Sequence, residues 1–461
     1  MALDLFCASL TTLCELVLPM IVRFITDKGI NDLAGLTVKM ILTLGGCYVI
    51  LRLIDTAASF FMESIGHIMG ARIETEMRRD LFDHLQKLSF SFYDNTKVGQ
   101  IMSRITTDLF DVTEFAHHCP EEFFIAAIKI SASFVICCQM NIPLTLIVFS
   151  VLPLMFLCTR YFKRNMRKAF QESRVQIGEI NASVEDSLLG IRVVKSFANE
   201  GVEKEKFKKG NLRFLEITKS KYTSMAGFHS TTRLFDGIMY ILIVVVGALF
   251  MIRGSIQPPD LMAYLLYVTT LLNSVRRIVD FSEQFQRGMT GIERFCQVME
   301  LEPDIADAPG AVELKNVQGE VTFDHVSFSY AAKEQNVLED INLQVEAGKN
   351  IALVGPSGSG KTTLCSLIPR FYEITKGKIL IDGKDISQVT LSSLRSQIGV
   401  VQQDVYLFSG TVLENILYGK PGASREEVIQ AAKMAAAHEF IMKFPDGYDT
   451  YVGERGLKLS G

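Results

Sequence analysis

The sequence predicts two joined architectures: an α-helical membrane domain of six spans with long cytoplasmic extensions, then an α/β P-loop nucleotide-binding domain. Three observations predict it. Six apolar runs of near-membrane length fill the first part of the chain, and two long connections between them concentrate lysine and arginine. Residues 351–364, IALVGPSGSGKTTL, read as a short apolar strand, a glycine-rich loop ending in Lys-Thr, and the start of a helix. Composition agrees. A chain of 461 residues exceeds one ordinary domain, and 48% hydrophobic residues beside 21% charged ones indicates that apolar spans and charged soluble structure are segregated.

The spans come first. A helix crosses the hydrocarbon core in about 20 mostly apolar residues. The runs 5–25, 40–62, 123–140, 142–162, 234–252 and 261–279 approach or meet that length, the third and sixth being weakest. Between the second and third runs lie Arg72, Arg78, Arg79, Lys87, Lys97 and Arg104, and the fourth-to-fifth connection is richer still, from Arg160 to Lys221. Basic connections stay on the cytoplasmic side, so the segment after the sixth span falls where ATP is. The first run is too long for a signal peptide's apolar core, carries Glu15 and Arg23 and has no basic segment before it, so it is expected to be a span rather than a cleavable signal peptide. Nine scattered cysteines without a CxxC pair read as small buried hydrophobes. A net charge of -4 gives no reason to expect a nucleic-acid partner.

The two long connections have helical periodicity. Ile73, Met77, Leu81, Leu85 and Leu88 recur at helical spacing amid charge, so the membrane helices are expected to continue below the bilayer as amphipathic helices. Turn-arounds are expected at Phe92-Tyr93-Asp94 and within 187–197. Inside the spans, Glu15, Arg52 with Asp55, Lys129 and Asp236 are functional candidates by position, with Arg52 and Asp55 placed to pair along one helix face. A last amphipathic helix is expected over 292–301, followed by a polar linker. The alternation of Val321, Phe323, Val326, Phe328 and Tyr330 then opens a β-containing domain. The resulting division is 1–287 membrane domain, 288–318 linker, and 319–461 nucleotide-binding domain.

The loop Gly355-Pro356-Ser357-Gly358-Ser359-Gly360-Lys361-Thr362, followed by Thr363, carries the chemistry. Glycines let backbone N–H groups converge on phosphate oxygens without side-chain obstruction. Lys361 can reach the β- and γ-phosphates, and the Thr362 hydroxyl is placed for Mg²⁺.

With these residues placed, the whole chain resembles a half-transporter of the ABC exporter family. The resemblance rests on the P-loop, on Val326-Ser327-Phe328-Ser329-Tyr330 upstream of it, and on Val400-Val401-Gln402-Gln403-Asp404 running into Leu407-Phe408-Ser409-Gly410. It rests also on Leu459-Ser460-Gly461, the opening of the family's signature sequence. It implies ATP and Mg²⁺ as ligands. Tyr330 would stack on adenine, and Gln403, rather than Gln402, would contact Mg²⁺ and the attacking water alongside Thr362. Lys361 and Gln403 would be the catalytic pair, while Ser460 and Gly461 would close on ATP held by a second half-transporter. The implied function is ATP-driven export of a lipid, peptide or amphipathic drug across the cytoplasmic membrane by a dimer embedded in the lipid bilayer. Because the chain stops at Gly461, inside the signature, the nucleotide-binding domain is expected to be incomplete, and turnover is expected only from a longer protein. Two other readings stand beside this one: a catalytically degenerate ATP-binding subunit of a heterodimer, and a non-transport ABC-class ATPase.

Overall fold

The computed structural model describes residues 2–96, 98–330, 336–402 and 406–452. The chain divides into two units, one of Met1–Lys87 with Thr96–Glu302, the other of Leu88–Asn95 with Pro303–Gly461.

The first unit is helical. It comprises α1 (Ala2–Asn31), α2 (Val38–Phe61), a π turn at Met62–Gly66, and α3 (His67–Leu85). After the short helix α4 (Phe90–Asn95), which belongs to the second unit, come α5 (Val98–Ser103), a second π turn at Arg104–Asp108, and α6 (Leu109–Met140). Then follow α7 (Ile142–Leu189), α8 (Ile191–Ser196), α9 (Glu200–Ile252) and α10 (Pro258–Met299). The boundaries follow from capping. Thr37 accepts from the Met40 amide at the start of α2, Asn141 from the Leu144 amide at the start of α7, and Gln257 and Asp260 form a reciprocal box at the start of α10.

Among the described residues, five helical stretches are long and apolar enough to cross a membrane: Leu3–Asn31, Val38–Leu85, Val98–Met140, Ile142–Leu189 and Glu200–Ile252. The sixth expected span, 261–279, is helical within α10 but is not among the five, because Arg276 and Arg277 interrupt its apolar run. The helices do continue beyond the apolar runs, α7 for 48 residues and α9 for 53. Both turn-arounds fall where expected, at α4 and at α8. The amphipathic helix expected over 292–301 is the end of α10 rather than a separate element.

Helix α7 packs along α9, and α6 along α10, with α1 against α2, α6 and α10. Leu144, Val148, Met239, Ile243, Leu271 and the rings of Tyr264 and Tyr267 form the apolar interior. The two tyrosine hydroxyls are satisfied there. Tyr267 donates to the Leu16 carbonyl at 2.8 Å, and Tyr264 lies within 2.8 Å of the Cys137 and Asn141 carbonyls and the Thr145 hydroxyl. A membrane interior offers no water to do this, so the bundle must. Outward faces are apolar, with Leu53, Phe60, Leu157, Ile241 and Val245 exposed as a lipid-facing surface requires. The ionisable residues inside the spans are paired. Glu15 meets Lys129 at 2.5 Å, Arg52 meets Asp55 at 2.7 Å as their spacing predicts, and Asp236 meets Arg276.

In the second unit, strands β1 (Val321–Phe328), β2 (Leu338–Val345), β3 (Lys376–Ile381) and β4 (Lys384–Asp385) form an antiparallel sheet in the order β2-β1-β3-β4. Asp382, in the turn after β3, accepts from the Gln318, Gly319 and Glu320 amides at 2.7 to 3.0 Å and fixes the approach to β1. The inner face holds Phe323, Val326, Phe328, Ile379 and Ile381 against Leu364 and Leu367 of α11 (Lys361–Leu367) and Leu394 of α12 (Leu391–Ser396). A second cluster joins α13 (Val412–Leu417), α14 (Arg425–Met434), α15 (His438–Ile441) and the small ladder of β5 (Gly410–Thr411) with β6 (Tyr451–Val452).

One expected element is absent. The apolar stretch before the P-loop is not a strand among the described residues, and Ile351, Leu353 and Val354 are exposed. A strand exists only as part of a ladder, and no described strand runs beside these residues.

Candidate nucleotide-binding site

The loop from Gly355 to Gly360 closes on itself around the Lys361 side chain. Gly358 and Gly360 have φ of 83° and 85°, the left-handed region in which a Cβ is strained. At Gly360 space is also short, since a Cβ would come within 2.7 Å of Leu338 Cδ2 on β2. The Ser359 amide donates to the Pro356 carbonyl at 3.2 Å, tightening the turn. The Lys361 ammonium donates to the Gly355 and Pro356 carbonyls at 2.9 and 2.8 Å and to Ser359 Oγ at 3.2 Å. A cation is thus held at the centre of a backbone ring, where a polyphosphate would exchange those neutral acceptors for charged ones, and charge-assisted hydrogen bonds are the stronger kind. Ser357, Ser359 and Thr362 are exposed around the mouth, and Thr363 is buried beneath it.

Tyr330 and Thr363 share a hydrogen bond of 3.0 Å between their hydroxyls. The Tyr330 ring stands edge-on to Phe328, with centroids 4.8 Å apart, and edge-on to Tyr372, at 5.1 Å. The predicted adenine partner is therefore fastened to the helix that carries the P-loop lysine. The path continues: Tyr372 donates to Asp94 Oδ2 at 2.7 Å, and Phe371 lies 4.6 Å from Phe90, ring to ring. Ser89 adds a 2.9 Å bond to Asp304. Burial first, and then the Asp94 carboxylate, push the Tyr372 phenol well above its ordinary range. Sequence reasoning did not single out Tyr372, because an aromatic eight residues beyond Leu364 carries no motif. The one available signal was its place next to Phe371, a buried-type pair on a polar surface stretch. Gln403, Ser460 and Gly461 lie outside the described residues.

A helical membrane domain joined to a P-loop nucleotide-binding domain defines a subunit of an ATP-powered membrane transporter. Residues 1–275 match the ABC transporter transmembrane region, and residues 338–461 match the ABC transporter family. The uncharacterized ABC transporter ATP-binding protein YwjA of Bacillus subtilis is 43% identical over 460 residues, covering 100% of this chain and 79% of that protein. A Staphylococcus aureus protein described as a candidate multidrug export ATP-binding/permease protein is 37% identical over 454 residues, covering 97% of this chain and 78% of its own length. The structure of a bacterial Atm1-family ABC exporter with ATP bound superposes with a TM-score of 0.78 at 27% identity, over 99% of this chain and 80% of that one. The chain belongs to the ABC transporter family, as an exporter half-transporter with both domains on one polypeptide. Its activity is ATP-driven export, and its nucleotide-binding domain lies on the cytoplasmic side.

Proposed function

We propose that the chain works as one half of a dimeric exporter, with residues 1–287 forming the membrane domain, 288–318 the linker and 319–461 the ATP-binding domain. In this reading Gly355 to Gly360, with Thr362 and Thr363, bind the phosphates, Tyr330 supports adenine, and Lys361 stabilises charge on the transferred phosphoryl group. Ser460 and Gly461 face ATP on the second half-transporter. Thr362 and Gln403 would hold Mg²⁺: a hydroxyl and an amide oxygen are the hard donors this ion takes. When bound it neutralises phosphate charge. The chain's own contribution is to position, and in phosphoryl transfer positioning and charge neutralisation carry most of the catalysis.

The observation that carries this reading is the Lys361 ammonium held by three loop acceptors inside a ring of backbone. Lys361→Ala in the full-length protein, reconstituted in lipid nanodiscs, should lower ATPase activity by on the order of 100-fold or more with an unchanged elution profile. Retained turnover removes the loop from its role.

The first unit supports a reading of the substrate class. A cavity of about 340 Å³ is lined by Lys163, Arg167, Arg174, Arg287 and Arg294 against Asp108 and Asp111, with Met166, Phe170, Met225 and Phe228 between them. Arg294 is engaged by Asp108 at 3.2 Å. Five basic side chains against two acidic ones leave a positive excess of three, and the apolar side chains supply contact area. This combination suits an amphipathic molecule bearing an anionic group.

A further inference from the structure

Apart from the nucleotide site, three histidines from two helices of the first unit come together. His67 opens α3, directly after the π turn at Met62–Gly66; His117 and His118 lie side by side on α6. One ring nitrogen from each lies within 4.8 Å of the others. The ring centroids are 5.0 Å apart for His67 and His117, 4.9 Å for His67 and His118, and 4.0 Å for His117 and His118.

The protonation pattern is readable. His67 Nδ1 is 2.6 Å from the Glu63 carbonyl, and His117 Nδ1 is 2.7 Å from the Thr113 carbonyl. A carbonyl oxygen only accepts, so in each neutral ring Nδ1 carries the proton and Nε2 keeps its lone pair. Metal-binding imidazoles are commonly held this way, with the far N–H anchored to a carbonyl. His117 is 4% exposed, and its Nε2 has no hydrogen-bond partner among the described residues. A buried acceptor is rarely left unpaired without a reason.

The backbone is shaped around this group. A Cβ at Gly70 would come within 3.0 Å of Thr113 Cγ2 and 3.2 Å of His117 Nδ1, so glycine there lets α3 approach α6 closely enough for His67 to reach across. Gly66, four residues earlier, continues the small-residue face. The surroundings are acidic: Glu114 Oε2 is 3.8 Å from His118 Nε2, and Asp4, itself buried, borders Gly66 as His117 does. Cys119 is turned away, its thiol directed to the Phe281 carbonyl at 3.7 Å.

The geometry points to a binding site for a zinc-class divalent transition-metal ion, held by the ring nitrogens of His67, His117 and His118. Imidazole nitrogens suit Zn²⁺, Cu²⁺ and Ni²⁺, whereas Mg²⁺ and Ca²⁺ take oxygen ligands. Bonds of about 2.0–2.1 Å in a tetrahedral site place ligand atoms roughly 3.4 Å apart. On binding, His67 would close the difference by tilting its ring while its Nδ1–H stays on the Glu63 carbonyl. The ion would pin α3 to α6, the two helices that flank the turn-around at α4.

The test uses full-length protein in nanodiscs, stripped with chelator and titrated with zinc alone against a chromophoric competitor, with metal content read by mass spectrometry. The expected result is one zinc per chain. His67→Ala changes an exposed side chain and keeps the packing. It removes a ligand outright, so it should weaken zinc binding by at least the roughly tenfold seen for losing an outer hydrogen-bond partner. His118→Ala should do the same, and the exposed His325→Ala in the nucleotide-binding domain should leave binding unchanged. Wild-type protein that takes up no zinc at micromolar free metal, or His67→Ala protein that binds it as tightly as wild type, overturns the proposal.

Discussion

The two turn-arounds beneath the membrane helices are built alike and finished differently. At the first, Phe90 lies on Phe371 and Asp94 accepts from Tyr372, so its contacts belong to the nucleotide-binding unit of the same chain. At the second, Gly190 separates α7 from α8, and the apolar side chains Leu188, Leu189, Val193 and Phe197 are 60 to 76% exposed. Its internal ties are polar: Lys195 to Glu200 at 2.7 Å and Lys206 to Glu203 at 2.5 Å. An apolar tip on a polar stalk is a surface made to be covered. The contrast teaches that one turn-around is served by its own nucleotide-binding domain, while the other has the chemistry to dock on a second subunit, in keeping with the dimer proposed above.

The largest effect should come from charging that second tip. Val193→Asp with Phe197→Asp would place carboxylates into an apolar contact, where unpaired charge is costly, and transport in proteoliposomes should fall by on the order of 100-fold. ATP binding by the isolated subunit should be untouched. Cross-linking with a bifunctional maleimide sharpens the same comparison. Cysteines at Asp94 and Tyr372, whose side chains meet end to end and so stand too far apart for a direct disulfide, should be bridged within one chain, whereas a cysteine at Val193 should be bridged to another chain. An intrachain product at Val193 would erase the distinction.

How much of this was legible in sequence depends on whether the cause is local. The form of the glycine-rich loop was, because its glycines, lysine and threonines are contiguous and their spacing sets the turn. The helical extensions were too, through periodicity, and so was the Arg52–Asp55 pair, three residues apart on one helix. The stretch 351–354 misled: its apolar composition reads as a strand, but a strand needs neighbours that its own residues cannot supply. The sixth span was weakened by Arg276, whose partner Asp236 lies on another helix. The Tyr330–Tyr372–Asp94 path and the histidine group join residues that are distant in the chain, 278 positions apart for Tyr372 and Asp94. No spacing rule brings such residues together; only the packing does.

A smaller effect tests whether the first tip is joined to the nucleotide site through Tyr372. A double-mutant cycle of Tyr372→Phe and Asp94→Asn isolates the hydrogen bond between them. The contact is solvent-accessible, so its coupling energy in thermal or chemical unfolding of the reconstituted protein should be about 1 kcal/mol, below the range for buried bonds to charged groups. If the tip communicates with the P-loop along Tyr330 and Thr363, the same cycle read on ATP-stimulated transport should show a coupling of the same sign. Strict additivity in transport would mean that the tip is attached here but does not signal here.

The smallest effect is a pH dependence at the same contact. The Tyr372 phenol is raised above its ordinary value of 10.0, by burial foremost and then by the Asp94 hydrogen bond and charge. A folded-state pKa above the unfolded one contributes stability that is fully present below about pH 10 and is lost as pH rises beyond it, because the unfolded phenol ionises first. Wild type should therefore melt above Tyr372→Phe at pH 8, and the gap should narrow between pH 10 and 11, where the phenylalanine variant has no phenol to ionise at that position. The second tip has no counterpart to this phenol, so Phe197→Ala should shift melting by the same amount at both ends of that range. A gap at Tyr372 that is constant with pH would show that neither burial nor Asp94 raises the phenol in the folded chain.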